Sequence, residues 1–179
     1  DLDGGRPQPL ASLTSTSFRG GAWDDQGDIL FGDRRNLYRI AATGGSAVPV
    51  TKPADAQENS RPAFLPGGRQ FLFVATGSPE TQGVYVGSLD SAEPRRLLDG
   101  NVEAVRYLPP SWLVWIQSNT LRAQRLDLRN ARLEGDPATI ADPARSFAHV
   151  NVPSQSGFPC GGPGARRRRL SAPAAAPPA

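Results

Sequence analysis

An all-β chain assembled from a repeated four-strand unit is what this sequence predicts, and three observations carry that prediction. Glycine (19 residues) and proline (18) punctuate short apolar runs, so few windows are long enough for helical periodicity. Three segments repeat one order of events along the chain. The central strand of each repeat (Ile29-Leu30-Phe31, then residues 71–75 and 112–116) is a continuous apolar run rather than an alternating one. That is the pattern of a strand covered on both faces.

The repeat sets the register of everything else. An aromatic residue precedes a turn at Trp23, Phe64 and Tyr107, spaced 41 and 43 apart. Each turn feeds an apolar strand starting at Asp28, Gln70 and Trp112, spaced 42 and 42. A second strand follows in each (residues 37–40, 84–86 and 121–126), then a polar turn and a last short strand. Asp25-Gln26-Gly27 and Pro66-Gly67-Gly68 place glycine where a turn requires positive φ, and Thr43-Gly44-Gly45-Ser46 suits a two-residue hairpin. The third repeat has Pro109-Pro110-Ser111 at that point, so its turn must differ.

Four short strands every ~40–45 residues is the signature of a β-propeller blade, which is apolar on both faces and must stack on neighbours to bury them. The expected architecture is a partial β-propeller of four-stranded antiparallel blades. Residues 1–14 read as the end of a preceding blade, 15–56, 57–100 and 101–142 as three blades, and 143–158 as the start of a further one. Residues 159–179 read as a disordered tail rich in Pro, Ala and Arg, because nothing there could offset its ordering entropy. Arg outnumbers Lys 19 to 1, so the tail is either a genuine disordered segment or the product of a shifted reading frame in GC-rich coding sequence.

Composition removes several function classes. The net charge of +3 comes from Arg166, Arg167, Arg168 and Arg169; without them 16 bases face 17 acids. Four arginines without interleaved aromatics or a fold give only sequence-blind attraction, so no specific nucleic-acid partner is expected. One Cys and one His exclude a disulfide framework and an ordinary zinc site. The longest apolar run, residues 112–116, is far too short to span a membrane. The chain has no Met, opens on Asp1 and shows no signal peptide, so it reads as a piece of something longer.

The repeats resemble TolB-like and WD-repeat-like β-propellers, whose blades run roughly W-S-P-D-G-x-x-(I/L)-A-F, (I/L)-Y-x-(V/M), D-G-G and R-(L/V)-T. The pattern survives here in Trp23, Gly27, Ile29 and Phe31, then Leu37-Tyr38-Arg39-Ile40, Gly44-Gly45 and Val50-Thr51. In the second blade it survives in Phe64, Pro66-Gly67-Gly68, Phe71-Leu72-Phe73, Val84-Tyr85-Val86, Asp90 and Arg96-Leu97-Leu98. FLPGGRQFLF, then GVYVGSLDS and RLL, is similar to the propellers fused behind bacterial eukaryotic-like serine/threonine kinases. The resemblance covers residues 1 to about 150. It departs at the Pro-Asp-Gly turn, so no acidic turn array is available for a metal.

No residue is assigned a catalytic, cofactor or metal role. His149 has no nucleophile or orienting partner and reads as a strand residue. Cys160 falls in the tail, away from any fixed positive neighbour. Asp24, Asp25 and Asp28 resemble part of a calcium loop but lack the later bidentate acid, and read as turn residues. Trp112 and Trp115, in an apolar strand, read as core. Gly161 and Gly164 open no phosphate loop, since no strand precedes and no Lys follows.

The resemblance implies a non-catalytic sensor or scaffold region of a bacterial receptor-type serine/threonine kinase, extracytoplasmic, binding a protein or small ligand on the propeller face. Other domains or blades of a longer protein would be further partners, and no cofactor is expected. Two alternatives remain: the gating propeller of a prolyl-oligopeptidase-like serine hydrolase, and a free-standing TolB-like periplasmic scaffold. Loops at Asp55 to Ser60 and Thr76 to Gln82 are the expected recognition elements.

Overall fold

The computed structural model describes residues 9–13 and 17–141. The expectations for residues 1–8 and for 142–179, including His149, Cys160 and the arginine run, lie outside the described residues. Among the described residues every helix or strand is a β-strand, and the strands form three four-stranded antiparallel sheets. The first holds β1 (Phe18–Trp23), β2 (Asp28–Asp33), β3 (Asn36–Ala41) and β4 (Val48–Pro49). The second holds β5 (Glu58–Phe64), β6 (Gln70–Thr76), β7 (Gly83–Ser88) and β8 (Ser91–Asp99). The third holds β9 (Ala104–Leu108), β10 (Trp112–Gln117), β11 (Thr120–Asp127) and β12 (Arg132–Ala141). In each sheet the strands pair in chain order, each with the next. This is a partial β-propeller, as the repeat predicts.

The middle sheet explains why the chain needs its neighbours. Phe71, Phe73 and Ala75 of β6 join Leu30 and Leu37 of the first sheet in one core. Leu72 and Val74, on the opposite side of the same strand, join Leu113 and Trp115 of the third sheet in another. None of these five β6 side chains is more than 1% exposed. The continuous apolar run in the sequence is thus two interleaved rows, each filling a different interface. Full burial of each large apolar side chain contributes about 1.5–3 kcal/mol, so the two rows bind three sheets into one unit.

The turns follow from local chemistry. Asp24 Oδ1 accepts the Gln26 N–H at 3.0 Å and the Asp28 N–H at 2.7 Å, closing the β1–β2 turn. A Cβ on Gly68 would come within 2.8 Å of Asp24 Oδ2, so glycine lets the turns of adjacent blades approach. In the third blade Tyr107 Oη donates to the Pro110 carbonyl across the Pro109-Pro110 turn. The β3–β4 connection is longer than a two-residue hairpin: Gly44 N donates to Ala41 O at 2.8 Å, and β4 begins only at Val48. Beyond Pro49, Val50 N donates to Leu37 O at 2.9 Å while Thr51 Oγ1 accepts the Leu37 N–H at 3.0 Å. A side-chain hydroxyl thus extends the pairing that the two-residue strand leaves short.

The expectation for Trp112 is corrected as well. Trp112 is not core: it is 37% exposed, and its ring lies under the Arg125 guanidinium, 5.4 Å from its centroid. Trp115, three residues on, is 2% exposed against the second blade. Alternation along β10 sends the two indoles to opposite faces.

Candidate functional site: the loop face of the blades

The antiparallel order brings five connections to one end of the sheets: the β2–β3 hairpin, the β4–β5 crossover, the β6–β7 loop, the β8–β9 crossover and the β10–β11 hairpin. Both expected recognition loops are here, though Glu58–Phe64 is already strand, so the first loop ends at Gln57.

The β4–β5 crossover is held from within and from the first blade. Arg35 Nε donates to the Gln57 carbonyl at 2.8 Å, and its terminal nitrogen donates to the Ala54 carbonyl. The Asn59 N–H in turn donates to the Arg35 carbonyl at 3.0 Å. Gln57 and Asn59 are buried, and Gln57 Nε2 donates to Asn59 Oδ1 at 3.0 Å while its Oε1 accepts the Ala54 N–H at 2.9 Å. Buried amides so satisfied fix a loop rather than destabilise it.

The β6–β7 loop is pinned beside it. Arg96 of β8 donates to the carbonyls of Glu80 (2.8 Å), Gln82 (2.6 Å) and Pro79 (3.3 Å). Its Nε pairs with Asp99 at 2.8 Å. Tyr85 Oη donates to the Thr81 carbonyl at 2.8 Å. The two loops touch at Gly77, where a Cβ would lie 2.9 Å from Ala56 O and 3.2 Å from Gln57 Cα. The Ser78 hydroxyl beside Glu80 holds its carboxyl below the usual glutamate range, with the Glu80 backbone and Arg96 acting in the same direction.

The blades are also tied to one another near this end. Arg19 pairs with Glu58 at 2.7 Å, and Arg61 donates to the Glu103 carbonyl at 2.7 Å. Gln117 Nε2 donates to Asp99 O at 2.9 Å, while within the third blade Glu103 Oε1 accepts the Asn119 N–H at 3.2 Å. Sequence reasoning located the loops but missed Arg35, Gln57, Asn59 and Arg96. Their acceptors and donors are mostly backbone groups, which leave no motif.

The acidic triplet is dispersed. Asp24 caps its own turn, Asp28 pairs with Arg39 at 2.7 Å, and Asp25 is exposed. Among the described residues no three His, Cys, Asp or Glu side chains come together as a metal cluster, and no helix is long and apolar enough to cross a membrane. Two shallow grooves among the described residues lie away from this face, one of about 300 Å³ between Pro110-Ser111 and Arg125–Arg129 and one between Pro49–Lys52 and Ser88–Ser91.

No protein-family model matches the chain, and no curated protein does. Among solved structures it is similar to a calcium-binding protein, regucalcin, from Agrobacterium tumefaciens, with a TM-score of 0.51 and 13% identity. The match covers 66% of this chain and 43% of that one, so the chain spans less than half the length of the structure it superposes on. That likeness supports a β-propeller-like fold and nothing finer.

Proposed function

We propose that this chain is a recognition module, a rigid wedge of propeller blades that binds a protein or small ligand through its loop face and carries out no chemistry itself. The observation behind this is the mutual locking of the β4–β5 and β6–β7 loops by Arg35, Gln57, Asn59 and Arg96. Loops already held in one conformation bind without a large ordering cost. The finer reading, a sensor or scaffold region of a bacterial receptor-type serine/threonine kinase, rests on the likeness of FLPGGRQFLF, GVYVGSLDS and RLL to that group.

The test is the purified chain incubated with ATP, and separately with generic ester and peptide substrates, beside a binding assay against a bacterial receptor-type serine/threonine kinase domain. The proposal expects no turnover, and binding that weakens when Arg35 or Arg96 becomes alanine. Turnover abolished by Asp25→Ala would overturn it.

A further inference from the structure

Among the described residues the interface between blades is written three times and completed twice. In the second blade, Leu72 and Val74 pair across the ladder with Val86 and Val84, and all four are at most 5% exposed beneath the third blade. The third blade repeats this patch 42 residues on: Val114 and Ile116 pair with Ala123 and Leu121. There Val114, Ile116 and Leu121 are only half-buried, and Leu108 and Trp112 beside them are 38% and 37% exposed.

The other end of the stack shows the matching half. Phe64 packs into the core shared with the first blade, and Tyr107 into the core shared with the second. Their counterpart in the first blade, Trp23, is 61% exposed. Phe18, also 61% exposed, lies over Gly21, 3.5 Å from where a Cβ there would sit. The Phe73–Tyr85 ring pair facing the first blade, with centroids 5.4 Å apart, recurs as Phe31–Tyr38 at 5.7 Å.

We propose that a second copy of the chain closes the ring. The Trp23 end of each copy packs on the Ile116 end of the other, reproducing the interface that already joins blades one to two and two to three. The argument is continuity: the end faces carry the two halves of one repeated contact, so they are complementary by construction. The three described blades are too few to close, whereas the six of two copies fall inside the range of about four to eight in which propellers form rings. A head-to-tail contact closes when its rotation completes a circle and otherwise grows into filaments.

Sedimentation velocity of the full chain over a concentration series tests this. The expected species has twice the 19.0 kDa mass of one chain and does not grow further. Trp23→Asp and Ile116→Asp should each give folded monomers, since either change damages both contacts of the ring. Mixing the two variants should restore a dimer, because one of its two contacts is then wild type. Circular dichroism checks folding, and Leu121→Asp replaces Ile116→Asp should the latter unfold. A wild-type monomer, an open polymer, or a mixture that stays monomeric would each overturn the proposal; a monomer would mean that other parts of a polypeptide cover these faces.

Discussion

Leu72 and Phe73 are neighbours in the chain, both wholly inaccessible to solvent, and they belong to different hydrophobic cores. Phe73 lies with Leu30 and Leu37 of the first blade; Leu72 lies with Leu113 and Trp115 of the third. A peptide bond separates two interfaces.

Truncating either residue should therefore be costly. Leu72→Ala is expected to lower stability by about 2–5 kcal/mol and Phe73→Ala by about 3–5 kcal/mol, measured by urea unfolding. A loss under about 1 kcal/mol for either would mean that its interface is not packed.

Two glycines should respond differently to alanine although both have positive φ. Gly83, at φ 152°, has Leu98 O only 2.1 Å from the position of a Cβ, so the β7–β8 pairing must shift. Gly44, at φ 87°, has nothing within 4 Å. Gly44→Ala should cost about 1–2 kcal/mol from backbone strain alone, and Gly83→Ala clearly more. Equal melting temperatures for the two variants would contradict this.

Removing the Arg96 guanidinium should free the β6–β7 loop while sparing the cores. Arg96→Ala is expected to cost about 1 kcal/mol, since the side chain is partly solvated, and to speed proteolysis at residues 77–82. Arg96→Lys should restore only part of the protection, because an ammonium cannot hold several carbonyls in one plane. Unchanged cleavage in Arg96→Ala would sink the clamp.

Strand positions and turns were legible because continuous apolar runs and glycine-bearing turns recur at one spacing. The end of the first recognition loop was not. Glu58, Asn59 and Ser60 look like loop residues, yet they pair with Thr76, Ala75 and Val74. Asn59 is buried there because Gln57 satisfies its side chain. The exposure of Trp112 is hidden for a similar reason: its strand is apolar throughout, but which indole is covered depends on which face another blade meets. Arg35 and Arg96 act on carbonyls 14 to 22 residues away, a relation that no local pattern encodes.

The turn after β11 should respond to acid. Asn130's side chain foremost, then its backbone N–H and that of Arg129, hold the Asp127 carboxyl below the ordinary aspartate value of 3.8. A carboxylate lowered on folding stabilises the folded form above its unfolded pKa, and that contribution disappears as pH falls through the folded value. The Asn130 amide resonance should thus titrate with a midpoint below 3.8, and the titration should vanish in Asp127→Asn. A midpoint at or above 3.8 would contradict the hydrogen bonding.

The central claim, one strand filling two interfaces, is open to direct observation by nuclear Overhauser contacts in methyl- and aromatic-labelled protein. The Phe73 ring is predicted to show contacts to Leu30 and Leu37 and none to Leu113 or Trp115. The Leu72 and Val74 methyls are predicted to show the reverse. Contacts from Leu72 and Phe73 to the same set of partners, or none between blades, would contradict the stacked-blade account.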